Sequence, residues 1–298
     1  MLYRALRPFE FFEPKTVAEA NELLLSYGHQ ASVMAGGLSL IQTMKAGEKK
    51  PEAVISLQKI DSLKFIDCDK DQKLRIGALA TIRSIEKSRE VQKHCPVLVR
   101  TARCIGSVEV RRMGTVVGNL CDGTPASDLA TILIAMGAKL KVTRPGAERD
   151  VLLENFCVGP HQTVLEEGEM VREVTVPSLG DHSFTSYINL ARTKPDITKV
   201  SVGVLVRSEN GGCGDVRIAV GAVAPVIVRV RKAEDLLKGG KLSPSAIEEA
   251  ARLAREDVVV RPITDIRSNA EYRKDMVRVL VQRALTNVVD KMNAAHAH

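Results

Sequence analysis

The sequence has 298 residues, of which 45% are apolar and 27% are charged; this balance is typical of a globular protein and excludes an intrinsically disordered one. No apolar run reaches the roughly 18 residues that a membrane-spanning helix needs, so membrane insertion is not expected. The formal net charge is +7, but aromatic residues make up only 3% of the chain and the basic residues are spread along it. This pattern favours a solvated surface, or a basic docking face for a protein partner, over nucleic-acid binding.

The length predicts roughly two domains. Residues 1–13 carry charges throughout and contain no long apolar core, so no signal peptide is expected. The six cysteines stand singly, without a Cys-x-x-Cys pair and without clustered histidines. This spacing favours reduced core residues in a cytoplasmic protein and indicates no iron–sulfur or zinc site made by this chain.

The first predicted elements are a helix and a strand that ends at two glycines. Thr16 and Glu19 have capping-box spacing, and apolar residues recur at helical period until Gly28 ends the helix. The apolar run at 31–35 stops at Gly36, which predicts a strand that feeds a loop with unusual backbone dihedrals. Two further buried strands are predicted at 54–57 and 74–78.

The middle of the chain predicts helices, and its last third predicts an antiparallel sheet followed by helices. A helical segment and a turn are expected at 97–112, an apolar helix at 128–135, and the end of the first domain at 171–177. Beyond it, strands are expected at 200–207 and 216–222, a glycine-rich hairpin turn at 210–214, and helices at 245–255 and 272–289. The expected domains are 1–177 (subdomains of about 1–57 and 58–177) and 178–290, with a tail at 291–298.

The first group of residues that indicates a ligand is the loop after the strand at 31–35. Paired glycines let the backbone approach a ligand closely, and consecutive N–H groups form a concavity suited to phosphate oxygens. Ser39 adds a hydroxyl donor. Taken alone, a Gly-Gly turn between a strand and a helix is more often structural. The loop comprises Ala35, Gly36, Gly37, Leu38, Ser39 and Leu40.

A second loop repeats this logic later in the chain. Thr115, Gly118 and Asn119 offer hydroxyl, backbone and amide donors. The stretch that follows contains Asp122 and ends at Asp128, and a carboxylate there suits the vicinal hydroxyls of a ribose. The structural alternative is a turn and a helix N-cap at Ser127 or Asp128. Two such loops in one domain suit a dinucleotide better than a mononucleotide.

Together the two loops resemble the FAD site of the molybdenum hydroxylase flavoproteins, the medium subunits of the xanthine dehydrogenase and carbon monoxide dehydrogenase family. That family's first loop reads Ala-Gly-Gly-x-Ser/Asp-Leu, and its second reads Arg-x-x-Gly-Thr-Ile-Gly-Gly-Asn before a stretch that ends in Pro-Ala-x-Asp. The matching stretches here are 35–40 and 111–128. The resemblance extends to Phe9-x-x-x-x-Pro14 and to residues 74–78, 220–225 and 261–273, in the expected order.

The resemblance implies an α+β fold: a p-cresol methylhydroxylase-type FAD-binding domain of two α/β subdomains, then a smaller α+β domain with an antiparallel sheet. It implies that residues 35–39 hold the pyrophosphate and that Thr115, Gly118 and Asn119 form the opposite wall. Leu40, Asp122 and Ser127 are also expected to bind the cofactor. Asp128 would bind the adenosine ribose. Ile105 and Lys199 match positions near the isoalloxazine, where a cation stabilises reduced flavin; a solvated surface lysine is the alternative for Lys199.

Two residues depart from the family pattern. Val117 stands where the family commonly has the first glycine of Gly-Gly-Asn, which restricts the approach of the backbone to a phosphate. Leu38 replaces a residue that is often polar, which removes one donor. Both departures predict weaker contact with FAD at these two positions.

The resemblance implies a subunit that transfers electrons and contains no acid–base catalytic pair. It would receive electrons from a [2Fe-2S] small subunit, fed by a molybdopterin-binding large subunit, in a dimer of heterotrimers. The alternatives are a self-contained flavin oxidase, against which the absence of histidine from both loops argues, and a flavin-free adaptor, which Val117 and Leu38 favour. The sequence leaves open the organic substrate and the terminal acceptor, whether NAD, oxygen, a quinone or a ferredoxin.

Overall fold

The computed structural model describes residues 6–193, 195–209 and 212–296. Within these ranges every helix is too short or too polar to cross a lipid bilayer. The chain forms two hydrophobic cores, one that consists of residues from the first 180 or so together with Ala219 and Ile227, and one in the remainder. Mixed helices and sheets, with an antiparallel sheet in the second part, confirm the predicted fold class.

A small parallel sheet of three strands begins the first domain. The strand order is β1-β3-β2. The predicted first helix is confirmed: Thr16 is its N-cap, and its hydroxyl oxygen accepts a hydrogen bond of 3.1 Å from the Glu19 backbone N–H. The elements are β1 (Glu10–Phe12), α1 (Val17–Tyr27), β2 (Ala31–Met34), α2 (Leu38–Ala46) and β3 (Ala53–Ser56).

An antiparallel sheet of five strands, in the order β4-β5-β10-β6-β7, and six helices complete the first domain. The predicted helix at 128–135 is confirmed at those residues, and the segment predicted at 97–112 contains two short helices separated by a turn. The strands are β4 (Ile66–Cys68), β5 (Leu74–Gly77), β6 (Lys139–Arg144), β7 (Ala147–Leu152) and β10 (Met170–Val176), with a separate pair β8 (Cys157–Gly159) and β9 (Gln162–Thr163). The helices are α3 (Ile82–Lys87), α4 (Arg89–His94), α5 (Pro96–Ala102), α6 (Val108–Met113), α7 (Val116–Cys121) and α8 (Asp128–Ala135).

The second domain is a four-stranded antiparallel sheet, β11-β12-β13-β14, with three helices packed on it. The hairpin turn predicted at 210–214 begins with two residues, 210 and 211, that lie outside the described residues. The last helix continues through His296, so residues 291–296 extend this helix and do not form the separate tail that was expected. The elements are β11 (Ser183–Leu190), β12 (Val200–Glu209), β13 (Gly212–Gly221), β14 (Val228–Arg229), α9 (Arg231–Leu237), α10 (Pro244–Glu256) and α11 (Ala270–His296).

Helix α8 packs between the two domains. All eight of its residues are buried, because one face packs in the first core and the other packs on β12 and β13. The Thr131 hydroxyl lies 3.0 Å from the Ser201 hydroxyl at this contact. The start of α8, at Asp128, is therefore fixed relative to both domains.

Candidate functional site

The two predicted loops face each other across a cleft of about 420 Å³. This volume falls within the range of roughly 300–1,000 Å³ that is typical of ligand pockets. A wider depression of about 870 Å³ over Lys59 and Lys64 is open surface and contains none of the predicted site residues. Eleven of the predicted residues line the cleft: Ala35, Gly36, Gly37, Leu38, Ser39, Leu40, Ile105, Thr115, Gly118, Asn119 and Asp122.

The first wall of the cleft is the start of helix α2. Gly37 is the N-cap and has a left-handed conformation with φ 73°, which favours glycine. Glycine has no side chain with which to cap the first N–H groups of the helix, and these groups have no intrahelical partners. The positive end of the helix dipole and its free donors therefore face the cleft, an arrangement that suits an anion such as a phosphate.

Close backbone packing fixes the first loop. A Cβ atom placed on Gly36 would lie 2.0 Å from the carbonyl oxygen of Met113, so only glycine fits there. From the other side, the Gln58 side-chain amide donates a hydrogen bond of 2.7 Å to the Ala35 carbonyl oxygen. Gln58 was not among the residues predicted from the sequence. Its position in the chain could have indicated this role. Gln58 lies just beyond the carboxyl end of β3, which pairs in parallel with β2, so it meets the residues just beyond the carboxyl end of β2.

The second wall is the start of α7. Thr115 is its N-cap, and the Thr115 hydroxyl oxygen accepts a hydrogen bond of 3.0 Å from the Gly118 N–H. The Asn119 side-chain oxygen accepts a hydrogen bond of 2.7 Å from the Ser127 hydroxyl, which leaves the Asn119 NH₂ group to donate to a ligand. Thr115 and Ser127 therefore hold the wall in place, and Asn119 offers the donor.

A hydrogen bond joins the two walls at the mouth of the cleft. The Ser39 hydroxyl donates to the Asp122 carboxylate, so in this structure Asp122 is the partner of the hydroxyl that was predicted to meet a phosphate. The Asp122 side chain remains 23% exposed. A carboxylate at this position can accept hydrogen bonds from the hydroxyl groups of a bound sugar.

Arg111 supports the turn that carries Ile105, a role that was not predicted from the sequence. Its guanidinium donates hydrogen bonds of 2.8 Å to the carbonyl oxygens of both Ile105 and Gly106, and it pairs with Glu86 at 3.1 Å. Burial opposes ionisation of Glu86, but Arg83 and Arg111 outweigh it and lower the pKa of Glu86. The sequence could have indicated this role, because Arg111 is the arginine of the Arg-x-x-Gly-Thr stretch and lies only six positions after Ile105.

The structure does not bring Asp128 to the surface of the cleft. Asp128 is 9% exposed, and its carboxylate accepts hydrogen bonds from the Thr198 hydroxyl (2.6 Å) and from Tyr187. Burial raises the pKa of Asp128, although both hydroxyls oppose this shift. Burial and the neighbouring Asp128 raise the pKa of Tyr187 well above its ordinary value. Ser127 is the N-cap of α8, as in the structural alternative for this stretch.

Lys199 also lies outside the cleft lining. It is partly buried just before β12, where its carbonyl oxygen accepts a hydrogen bond of 3.2 Å from Arg273. The structure therefore separates the predicted residues into a group that lines the cleft and a group at the contact between the two domains. The second group comprises Ser127 and Asp128, and Lys199 directly follows Thr198, whose hydroxyl donates to Asp128.

The two residues that depart from the family pattern both line the cleft. Val117 is 3% exposed and belongs to α7, so its side chain packs in the wall. The Leu38 side chain turns to the second loop, with its Cδ1 atom 3.3 Å from the position that a Cβ on Gly114 would occupy. Both side chains therefore contribute apolar surface to the packing between the loops.

Two family models match the chain. The FAD binding domain in molybdopterin dehydrogenase matches residues 7–179, and the CO dehydrogenase flavoprotein C-terminal domain matches residues 185–288. Together they cover almost the whole chain and its two cores.

Relatives of known activity match over nearly the full length. The carbon monoxide dehydrogenase medium chain of Hydrogenophaga pseudoflava is 31% identical over 277 residues, which are 93% of this chain and 96% of that protein. The nicotine 6-hydroxylase medium subunit of Paenarthrobacter nicotinovorans is 30% identical, over 94% of this chain and 97% of that one. A solved structure of the H. pseudoflava carbon monoxide dehydrogenase superimposes with a TM-score of 0.92 at 31% identity, over 96% of this chain and 99% of the other.

Proposed function

Because the chain belongs to the family of FAD-binding medium subunits of molybdenum hydroxylases, we propose that it transfers electrons from a [2Fe-2S] subunit through FAD to a terminal acceptor. FAD suits this position because it exchanges single electrons with clusters and one or two electrons with a terminal acceptor. The protein supplies the binding site, the orientation and the electrostatic environment. Oxidation of the organic substrate belongs to the molybdenum-containing large subunit.

The observation that carries this proposal is the cleft between the two glycine loops. Gly36 packs directly on the Met113 backbone, and α2 starts at Gly37 without a side-chain cap. A Cβ atom on Gly118 would lie 2.6 Å from the Thr115 hydroxyl oxygen. The residues present therefore form a narrow passage between two backbone walls, the first of which has uncapped N–H donors, and this arrangement fits the pyrophosphate of a dinucleotide.

Within this proposal, the cleft residues divide the work of binding. The start of α2 and the Asn119 amide donate to the pyrophosphate, and Asp122 accepts from sugar hydroxyls. Ile105, held by Arg111, supplies an apolar contact for the isoalloxazine and helps to exclude water from it.

The residues at the domain contact have proposed roles of their own. Asp128 would bind the adenosine ribose, and its carboxylate also accepts hydrogen bonds from the Tyr187 and Thr198 hydroxyls. Lys199 would place a positive charge near the flavin ring. The expected first domain, residues 1–177, would carry most of the FAD site. The expected second domain, residues 178–290, packs on α8 and would complete the site there.

The proposed complex contains a molybdopterin-binding large subunit and an iron–sulfur small subunit, arranged as a dimer of heterotrimers. A multi-subunit complex is supported by relatives that are named as a medium chain and a medium subunit, and a molybdenum-containing partner is supported by the molybdenum cofactor named for the solved carbon monoxide dehydrogenase. A cytoplasmic location is also proposed, and it is supported by the six cysteines, none of which forms a disulfide bond in the described part of the chain.

The decisive experiment is the visible absorption spectrum of the purified protein, followed by release and identification of the bound nucleotide. We expect flavin bands from one FAD per chain, and co-purification of the two partner subunits from the native source. A folded, colourless protein that does not take up added FAD would contradict the proposal and support the adaptor alternative. A stable monomer that oxidises an organic donor by itself would support the oxidase alternative.

A further inference from the structure

The fold brings three metal-ligating side chains together on a surface away from the cleft. In the described part of the chain, this is the one group of three whose ligand atoms all lie within 4.8 Å of one another: Cys68, Glu90 and His94. No zinc site was expected from the sequence, because it has no Cys-x-x-Cys pair and no clustered histidines. The tertiary fold brings Cys68 to Glu90 and His94, which are neighbours on one helix.

Two of the three side chains are arranged by a helix. Glu90 and His94 are four positions apart on α4, so they share one face of the helix. The Glu90 Oε2 atom lies 3.6 Å from the His94 Nε2 atom. Ligand atoms of one tetrahedral zinc ion lie roughly 3.3–3.7 Å apart, given bonds of about 2.0–2.3 Å. This pair therefore already has the spacing that a shared ion requires.

The third side chain comes from the edge of the five-stranded sheet. Cys68 is the last residue of β4, the edge strand, against which α4 packs. Its thiol is partly buried. An ion bound here would tie the edge strand to α4, and the exposed side of Glu90, whose side chain is 51% accessible, would leave a fourth position for water.

The local charge favours a cation. Burial raises the pKa of the Cys68 thiol, and the carboxylates of Glu90, Asp67 and Asp69 raise it further, while Lys93 opposes them. These carboxylates create a negative potential at the sulfur atom. A bound metal ion would counter that potential and displace the thiol proton, as metals do when they bind cysteine.

We propose that Cys68, Glu90 and His94 form a Zn²⁺ site that connects β4 to α4. Thiolate, imidazole and carboxylate together form a typical ligand set for zinc. The site is separate from the FAD cleft, which none of these three residues lines. Its function would be structural, because the ion would close the open edge of the sheet.

One test uses the unaltered full chain and measures the protection of Cys68. Iodoacetamide labelling of each cysteine is followed by mass spectrometry, with and without one equivalent of Zn²⁺. We expect zinc to slow the labelling of Cys68 at least severalfold and to leave that of Cys104, also partly buried, unchanged. Equal labelling of Cys68 with and without zinc would overturn the proposal.

A second test measures affinity by competition with a chromophoric zinc chelator. We expect Cys68→Ser and His94→Ala to weaken zinc binding by about tenfold or more, since loss of a ligand should cost at least as much as loss of a residue that supports one. His29→Ala is the matched control, because His29 also lies beside a glutamate, with Nε2 2.9 Å from Glu167. Equal affinity in wild type, Cys68→Ser and His94→Ala would refute the site.

Discussion

Gly36 lies directly on the backbone of Met113, so that a Cβ atom on Gly36 would be 2.0 Å from the Met113 carbonyl oxygen. Gly36→Ala must therefore push the two loops apart. We expect the variant to lose about 1–3 kcal/mol of stability, as overpacked sites do, and to purify with little FAD. Flavin absorbance per chain and thermal unfolding measure the two effects.

Gly47→Ala is the matched control at the other end of α2. Gly47 has φ +77°, but a Cβ atom there would meet nothing within 4 Å. The substitution costs only local strain, roughly 1–2 kcal/mol, and we expect full FAD content. Full FAD content in Gly36→Ala as well would show that the loop contact does not shape the site.

Removal of Arg111 should disorder the turn that carries Ile105. Arg111→Gln leaves the carbonyl oxygens of Ile105 and Gly106 without their donor and leaves Glu86 with Arg83, 2.6 Å away, as its nearest ionic partner. We expect a loss of about 1–3 kcal/mol in the free energy of unfolding, together with weaker FAD binding. The exposed neighbour provides the control: Arg112→Gln should change neither, and equal effects in both variants would remove Arg111 from its positioning role.

The ion pair of Glu169 with Arg149 predicts a dependence of stability on pH. Two hydrogen bonds of 2.7 Å join the side chains, and Glu169 lines the cleft. Arg149 lowers the pKa of Glu169 below its ordinary value of 4.5, against the opposing effect of burial. The stability that the ion pair contributes is therefore fully present when the pH is above the ordinary glutamate pKa of 4.5. It is lost as the pH falls through the lowered pKa of Glu169 in the folded protein.

The Glu169→Gln variant tests this dependence. At neutral pH we expect the variant to be less stable than the wild type by roughly 1–3 kcal/mol. The partial exposure of Arg149 to solvent favours the lower part of this range. Urea unfolding at several pH values should show that the difference shrinks as the pH falls below 4.5, the ordinary pKa of glutamate. Glu166→Gln, which alters an exposed pair with Arg144, should have little effect at any pH. A constant difference for Glu169→Gln across the pH range would refute the ionic contribution.

Asp128→Asn separates a ligand contact from a contact between domains. The substitution keeps the size of the side chain and removes the charge of the carboxylate that accepts hydrogen bonds from the Tyr187 and Thr198 hydroxyls. We expect the affinity for FAD to fall, as measured by titration of the flavin-free protein. If the affinity stays the same while thermal stability changes, Asp128 serves only the contact between α8 and the second domain.

The local signals in the sequence predicted the elements that form the cleft. Thr16 indicated the start of α1, and the run at 128–135 indicated α8, because capping residues and helical periodicity depend on neighbouring positions. The paired glycines at 36 and 37 indicated the first loop, and the left-handed conformation of Gly37 is a requirement of the local backbone. These features need no knowledge of distant contacts.

The contacts that complete the site depend on residues far apart in the chain. The Gln58 amide reaches Ala35 only because β2 and β3 pair in parallel, and Asp128 is covered only because β11 places Tyr187 above it. Cys68 meets His94 for the same reason, through the packing of α4 on β4. Sequence periodicity carries no record of such pairings, so these roles required the fold.

The hydrogen bond between Ser39 and Asp122 joins positions 83 residues apart. During synthesis on the ribosome, the first wall of the cleft therefore leaves the exit tunnel long before the second wall exists. Until then Gly36 has no Met113 carbonyl to pack against, and a captured cofactor would be held on one side only. We therefore expect flavin loading to be a late event for the nascent chain, one that follows translation of both loops and so marks chains that are ready to meet their partners.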